Sequence, residues 1–243
     1  MTVPEPLRIQ RDAWEHRRLL RWLYTGWYRQ MIDELSAIKG PTVEVGCGIG
    51  TFKEIYPPAV ATDVLATPWV DQLVDAQRLP YEESSVANLV MTDVLHHLPR
   101  PLRFISEAER VLRPGGRVVM LEPFCSPLSA PLYRAFHFEV TDLSADPFSE
   151  APQSDENAFS SNQALPTLMF WRDADRFRAL HPQLEIVRRK RFGWLIYPLS
   201  GGFTGRRLAP YALRGTLAAV ERALGGVAEP LAAFRCLVVL EKR

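Results

Sequence analysis

The sequence has little cysteine, no excess of charge of either sign and no long apolar run. Its 243 residues include three cysteines, Cys47, Cys125 and Cys236, and this odd, widely spaced set matches neither a zinc pattern nor a disulfide framework. The 29 lysines and arginines nearly balance the 28 aspartates and glutamates, so the net charge of +1 indicates neither nucleic acid nor an anionic membrane as a partner. No stretch approaches the roughly 18 apolar residues that a membrane-spanning helix needs.

The N-terminus lacks a basic start followed by an apolar stretch, so we expect no secretory signal peptide. The scarcity of cysteine suits a reducing compartment, and we expect a cytoplasmic protein. With 47% hydrophobic and 23% charged residues, a chain of this length has the balance of a globular protein with one sizeable core. We therefore expect a single domain over residues 1–243.

Short apolar runs alternate with helical stretches after Gly40-Pro41. This alternation is typical of a parallel sheet with helices on both faces. The predicted strands are 42–45, 59–62, 69–74, 86–91, 117–121, 184–188 and 234–240, and the predicted helices among them are 51–56, 102–112, 167–180 and 207–224. The two late strands would add an antiparallel edge to the parallel set.

Two other stretches have alternative interpretations. Residues 11–38 are rich in aromatics near a helical period, with Gly26 as the expected break. These aromatics either pack the helices onto the domain or line a substrate pocket, and we favour packing. The basic run 188–191 is either the solvated edge of a strand or a phosphate site, and the solvated edge is the commoner case.

The strongest local signal is VEVGCGIG, residues 43–50, which follows a strand and leads into a helical turn. Glycine is needed where the chain turns sharply out of a sheet and a ligand must approach the backbone. Two acids follow at predicted strand ends. Asp63 is placed where its carboxylate can accept hydrogen bonds from the hydroxyls of a ribose. Asp75, which is followed by Ala76, is placed where its carboxylate can accept a hydrogen bond from the amino group of an adenine. In register with the loop, they predict a nucleoside-containing ligand.

These motifs resemble the class I S-adenosylmethionine-dependent methyltransferases, in particular the branch with the ubiquinone/menaquinone-type methylases. The matching text is VEVGCGIG, ATDV, DAQRLPYEESSVANLVMTDVLHHLPRP and AERVLRPGGRVVMLEP, four motifs in order over about a third of the chain. The resemblance implies a Rossmann-like α/β fold, with a seven-stranded, mostly parallel sheet and an antiparallel last strand. It also implies S-adenosylmethionine as the cofactor and methyl transfer to a small organic acceptor, by O- or C-methylation, as the activity.

In that family the glycine loop holds the methionine end of the cofactor, the acid after strand two binds the ribose, and the Asp-Ala pair after strand three binds adenine. The cofactor contacts implied for this chain are Glu44, Gly46, Cys47, Gly48, Gly50, Asp63, Val64, Asp75, Ala76 and Thr92. One departure concerns the 12 residues from Asp63 to Asp75, which include Pro68. The family usually fits a full helix there, so we expect that flank of the adenine pocket to be more open.

We divide the domain into N-terminal helices (1–40), a cofactor-binding core (41–123), a lid (124–166) and C-terminal helices and strands (167–243). The lid is predicted because residues 124–163 lose all clear periodicity while keeping several aromatics. Together with the apolar stretch 192–199, these aromatics either pack beneath the lid or line a pocket for a lipid-like, aromatic or sugar acceptor. We expect no nucleic-acid partner, and neither the acceptor nor the oligomeric state follows from the sequence.

Methyl transfer from a sulfonium needs little from a protein beyond holding the acceptor in line, and a general base helps only a protonated nucleophile. The candidate bases are His96, His97, His137, Glu122 and Glu139, of which His97, His137 and Glu139 are the predicted catalytic residues. No regular ligand spacing supports a metal site. Two alternatives stay open, a nucleotide-dependent oxidoreductase and a protein that binds the cofactor without catalysis. The first is disfavoured because Gly46-x-Gly48-x-Gly50 lacks the two-residue gap of the dehydrogenase loop.

Overall fold

The computed structural model describes residues 3–136, 139–153 and 159–243. Seven strands form one sheet in the order β3-β2-β1-β4-β5-β7-β6. The strands are β1 (Thr42–Val45), β2 (Val60–Asp63), β3 (Gln72–Leu73), β4 (Val86–Thr92), β5 (Leu112–Pro123), β6 (Leu184–Phe192) and β7 (Arg235–Lys242). Strands β1 to β5 pair in parallel, and β7 runs antiparallel to both β5 and β6. The predicted fold class is confirmed, although the antiparallel strand lies inside the sheet and β6 forms the edge.

The helices are α1 (Glu5–His16), α2 (Arg18–Asp33), α3 (Thr51–Ile55), α4 (Pro101–Val111), α5 (Ser129–Phe136), α6 (Leu165–Thr167), α7 (Ala174–Leu180), α8 (Ile196–Ser200) and α9 (Arg214–Ala232). Leu95–His97 and Tyr211–Leu213 are single 3-10 turns, and Leu168–Arg172 continues α6 as a π-helical turn. None of the described helices is long and apolar enough to cross a bilayer.

Buried side chains of alternate sheet residues build two core layers, because successive strand residues point to opposite faces. On one face Leu89, Met91 and Val118 pack with the apolar side of α4 and with Phe177 of α7. On the other face Val90 and Val119 pack against α1 and α2. Four aromatics of the N-terminal helices are buried, at most 6% exposed: Trp14, Tyr24, Trp27 and Tyr28.

Several predicted boundaries were wrong. The N-terminal helices break at Arg17 and not at Gly26, which lies within α2 with open space where a Cβ would stand. The last helix runs on through Gly225 and Gly226 to Ala232, although a helical glycine costs roughly 1 kcal/mol. The Pro-Gly-Gly turn before the fifth strand is a register shift inside β5, which already begins at Leu112.

Two connections decide the shape of the site. Between β2 and β3 the described chain contains no helix, as predicted, and β3 is reduced to two exposed residues. The segment after β5, predicted to be irregular, contains helix α5, whose Tyr133 is buried and donates a hydrogen bond of 2.6 Å to the carbonyl of Phe234. The segment is therefore anchored to the sheet at its start.

Candidate functional site

The glycine loop leaves β1 with three left-handed residues, Gly46, Gly48 and Gly50, at φ values of 67°, 51° and 72°. At Gly46 and Gly50 the close packing of neighbouring side chains leaves no room for a Cβ. A Cβ on Gly46 would lie 2.5 Å from Cγ2 of Val94, and one on Gly50 would lie 2.7 Å from Cβ of Trp69. A Cβ on Gly48 would meet nothing within 4 Å. The tip of the loop thus borders open space, which is what a ligand approaching the backbone requires.

Asp63 ends β2 beside this tip and is 8% exposed. One carboxylate oxygen accepts a 2.9 Å hydrogen bond from the backbone N–H of Gly48, and the other accepts one of the same length from Leu65. Because a carboxylate has about four lone-pair positions, these two bonds leave it able to accept from a ligand as well. Asp63 therefore also fixes the glycine loop, a role that the sequence did not predict.

Glu44 lies in β1 and is 4% exposed. Its Oε2 has no hydrogen-bond partner among the described residues. Burial, together with the nearby charge of Asp63, raises the pKa of the Glu44 carboxyl to about 8. A buried polar atom without a partner is costly, so this oxygen is suited to receive a hydrogen-bond donor from a bound molecule.

The other residues predicted to contact the cofactor lie at the same edge of the sheet, and their side chains differ in solvent exposure. Asp75 is exposed, two residues beyond β3, and accepts a 2.8 Å hydrogen bond from the N–H of Gln77, while Ala76 beside it is buried. Val64 is 54% exposed, Cys47 is buried in the loop and Thr92 is half-buried at the end of β4. The loop and the ends of β2, β3 and β4 thus meet at the carboxyl edge, where open α/β sheets bind ligands.

The turn after β4 presents two adjacent histidines to the same edge. His96 is buried, and its Nδ1 donates to Oε2 of Glu122 over 2.6 Å. The other oxygen of Glu122 accepts from the backbone N–H groups of Val94 and Leu95, each at 2.9 Å. Burial alone would lower the pKa of His96, but the carboxylates of Glu122 and Glu139 raise it to about 10. His96 is thus an imidazolium that holds the turn in place.

The pKa of His97 is shifted in the opposite direction to that of His96. Burial and the charge of His96 lower the pKa of His97 to about 4, so its ring is neutral near pH 7. Its Nδ1 donates to the carbonyl of Ser160 over 3.2 Å, which leaves the lone pair on Nε2, 3.7 Å from Oε1 of Glu139. Although burial opposes it, the hydrogen bond and charge of His96 hold the pKa of Glu139 well below its usual range. His137, the third predicted catalytic residue, lies outside the described residues.

Comparison with known proteins agrees with this geometry. The model of a methyltransferase domain family matches residues 43–120, from the glycine loop into β5. A demethylmenaquinone methyltransferase of Renibacterium salmoninarum is 26% identical over 165 residues, which cover 61% of this chain and 68% of that protein. The chain thus matches a methyltransferase domain over residues 43–120, in agreement with its resemblance to the class I S-adenosylmethionine-dependent methyltransferases.

Two further similarities show how far the sequence match extends and support the fold. An uncharacterized 37.1 kDa protein in transposon TN4556 of Streptomyces fradiae is 32% identical over 138 residues, which cover 46% of this chain and 40% of the relative's own length. A solved structure of a SAM dependent methyltransferase from Archaeoglobus fulgidus covers 92% of this chain and 94% of its own, with a TM-score of 0.58 and 12% identity. That structure supports the fold. The antiparallel β7 between β5 and β6 differs from the 3-2-1-4-5-6 sheet expected of a dehydrogenase.

A second ion pair at this edge, between a buried arginine and a partly buried aspartate, was missed by the sequence analysis. Asp93, left-handed at φ 58°, lies 2.6 Å from Nη2 of Arg235, which is 2% exposed, and accepts a 3.3 Å hydrogen bond from the hydroxyl of Tyr24. The rings of Tyr24, Trp27 and Tyr197 lie 5.4–6.0 Å from the guanidinium. Nothing local in the sequence links residues so far apart, so only the position of Asp93 after a strand could have indicated it.

The histidine turn also offers atoms to a cation. Ligand atoms of His96, His97 and Glu139 lie within 4.8 Å of one another, as do those of Asp93, His96 and Glu122. The short contact between His96 and Glu122 and the hydrogen bond from Gln163 to Glu139, at 2.7 Å, give these groups partners within the protein. The expectation of a site without metal stays a prediction.

We expect Asp63→Ala to weaken binding of S-adenosylmethionine and of its demethylated product by roughly 1–3 kcal/mol, because a charged acceptor is lost at a buried site. Titration calorimetry measures the change. Asp63→Asn, which keeps an oxygen for the amide of Gly48, separates loss of the acceptor from loosening of the loop. Unchanged affinity in Asp63→Ala would remove Asp63 from the cofactor site.

The His96–Glu122 pair predicts a decline of stability on the alkaline side. The pKa of His96 is raised from about 6.5 in the unfolded chain to about 10, so its contribution is complete below pH 6.5 and is lost as pH rises toward 10. The free energy of unfolding, measured in guanidinium at pH 6.5, 8 and 9.5, should therefore fall more steeply in the wild type than in His96→Gln. Parallel slopes for the two proteins would contradict an imidazolium at this position.

Proposed function

We propose that this protein transfers a methyl group from S-adenosylmethionine to a small organic acceptor, by O- or C-methylation, at the carboxyl edge of its sheet. The main support is the tip of the glycine loop, where Gly48 borders open space beside the buried carboxylate of Asp63. Since the matched region covers 40% of one relative and 68% of another, activity, acceptor and site residues are proposals for this chain.

The residues present fit the cofactor. In this proposal the backbone around Gly48 receives its methionine end, Oε2 of Glu44 accepts from its ammonium group, Asp63 accepts from the ribose, and Asp75 with Ala76 contacts the adenine. When bound, S-adenosylmethionine supplies an activated methyl group on a sulfonium. The described chain between β2 and β3 contains no helix, so the adenine side of this site is more open than the ribose side.

His97 and Glu139 are the groups proposed to face the acceptor. Neutral His97 carries a lone pair on Nε2, directed to within 3.7 Å of an ionised carboxylate. A neutral imidazole next to an ionised carboxylate is able to accept a proton from an acceptor hydroxyl that binds beside it. The pair can therefore orient the hydroxyl and accept its proton, while His96 holds the turn through Glu122.

An apolar or aromatic acceptor is favoured over a sugar. Tyr24, Trp27, Tyr197 and Phe203 form a ring cluster next to Asp93, with Tyr24 and Phe203 5.1 Å apart. Aromatic walls of this kind bind flat or hydrocarbon ligands well. The relative from Renibacterium salmoninarum acts, by its name, on demethylmenaquinone, which supports a quinone or another lipid-like acceptor.

Titration calorimetry with S-adenosylmethionine and with NADH tests the cofactor. We expect binding of the first and none of the second, and the opposite result would favour the oxidoreductase alternative. Turnover of labelled S-adenosylmethionine with quinols, phenols and sugars then tests catalysis. Binding without turnover on any acceptor class would favour a non-catalytic protein of the same fold.

We also propose that residues 124–166 close over the acceptor. The described part of this segment meets the histidine turn, because the N–H of Asn162 donates to the carbonyl of His96 over 3.0 Å and Ser160 receives the bond from His97. We expect its amides to exchange quickly in the free protein and to slow when cofactor and acceptor are both bound. Hydrogen exchange read by mass spectrometry checks this, and strong protection in the free monomer would indicate a rigid cap.

A further inference from the structure

A cleft outside the methyl-transfer site lies where α1 meets α2. Its volume is about 410 Å³, and three of the residues that line it are the arginines Arg17, Arg18 and Arg207. His16 also lines it, and no acidic residue does. His16 pairs over 3.0 Å with Asp12, an acid outside the lining. The cleft is therefore walled by cations that lack a counter-charge within it.

Two of these arginines are held in position by the protein itself. Nη1 of Arg17 donates to the carbonyls of Gly202 and Gly205, at 2.9 and 2.8 Å. The guanidinium of Arg18 lies 4.4 Å from the ring centre of Tyr211, and Arg214 lies 4.2 Å from the same ring. Side chains fixed in this way lose little conformational freedom when a ligand binds.

The electrostatics of the cleft favour an anion. Burial and the positive charge of Arg207 lower the pKa of Arg17. Among the described residues no ion pair is made by Arg17, Arg18 or Arg207. The first turn of α2 has no side-chain cap and carries Leu19 and Leu20, which line the cleft. A helix N-terminus adds partial positive charge to the three guanidiniums.

We propose that this cleft binds a phosphate or diphosphate group on a small molecule with an apolar part. Guanidinium groups bind phosphate oxygens in a bidentate manner, and several of them together match a group of more than one negative charge. The remaining walls include Leu208, Ala209 and Pro210, which suit hydrocarbon. S-adenosylmethionine carries no phosphate, so the cleft is additional to the cofactor site.

A ligand bound in the cleft should affect the proposed acceptor site. The loop that holds Arg17 contains Phe203, whose ring packs 5.1 Å from Tyr24, and the hydroxyl of Tyr24 bonds to Asp93. An anion that tightens this loop therefore acts on one wall of the proposed acceptor site. The ligand is either the phosphorylated end of the acceptor or a separate effector, and both share the same chemistry.

The test is titration calorimetry of the full chain with pyrophosphate, octyl phosphate and uncharged octyl glucoside. We expect saturable binding of pyrophosphate and of octyl phosphate, and none of the glucoside. Arg18→Gln and Arg207→Gln should each weaken binding about tenfold or more, as loss of a charge-assisted bond predicts. Arg222→Gln, an exposed arginine of α9 outside the cleft, is the matched control. Circular dichroism checks that each variant is folded.

Equal affinity in wild type and in both cleft variants, or no saturable binding of either phosphate, would overturn the proposal. Cofactor affinity should stay unchanged in Arg18→Gln and Arg207→Gln, so a failure here is distinguishable from a failure of the proposed function. Once methyl transfer is measured, competition between octyl phosphate and the acceptor would show that the cleft binds the phosphorylated end of the acceptor. Inhibition or activation without competition identifies an effector site.

Discussion

Replacing Gly48 by valine should abolish binding of S-adenosylmethionine while the fold survives. A Cβ at this position meets no protein atom within 4 Å, so the branched side chain would occupy only the space proposed for the cofactor. The left-handed backbone at φ 51° adds strain of about 1–2 kcal/mol, which a domain of this size tolerates. We expect no heat of binding in titration calorimetry, with a native circular dichroism spectrum.

Two variants separate steric exclusion from backbone strain. Gly48→Asn places a side chain in the same space, but asparagine adopts left-handed conformations more easily, so it should fold better and still bind weakly. Gly26→Ala fills open space inside α2 and should leave cofactor affinity unchanged. Normal binding by a folded Gly48→Val variant would mean that the loop is structural and that the cofactor lies elsewhere.

Replacing Glu122 by alanine should cost about 3–5 kcal/mol of stability, the usual loss when one partner of a buried ion pair is removed. The substitution leaves the imidazolium of His96 buried without its closest carboxylate, and the amides of Val94 and Leu95 without their acceptor. Denaturant unfolding monitored by tryptophan fluorescence measures this loss. We expect a large drop in the transition midpoint.

Glu122→Gln keeps an oxygen for the two amides but loses the charge, so its stability should fall between that of the wild type and that of the alanine variant. Glu185→Ala removes an exposed carboxylate 3.4 Å from Arg243 and should change stability by less than about 1 kcal/mol. A loss below 1 kcal/mol in Glu122→Ala would mean that this buried pair does not hold the histidine turn.

The cofactor side of the site was predictable because its requirements are local. A strand followed by three glycines at spacing two implies left-handed turns, and acids at the next strand ends fall on the same edge of a parallel sheet. The structure places Gly48 and Asp63 within one hydrogen bond of each other. Asp75 was predicted at a strand end, but β3 stops two residues earlier, at Leu73, which pairs with the last residue of β2, Asp63.

The acceptor side was less predictable because its contacts are made across the fold. Arg235 lies at the start of the last strand and reaches Asp93 after the fourth, a contact that depends on β7 inserting beside β5. Helix α5 was missed because its eight residues include a proline and no full apolar period. Conversely, His97 and Glu139 were predicted for catalysis, and the structure brings them together, while their roles stay untested.

The two outer strands of the sheet have a consequence for how the protein behaves at high concentration. An unpaired strand edge invites pairing with another chain, and proteins suppress this with short edges or with charge. At one edge β3 is only two residues long. At the other edge β6 is nine residues long and contains the basic run from Arg188 to Arg191. Arg188 pairs with Glu34, and Lys190 donates to Gln30, so α2 covers part of that edge. The basic run, interpreted from the sequence as the solvated edge of a strand, thus places positive charge along this edge, which disfavours pairing with the edge of another chain.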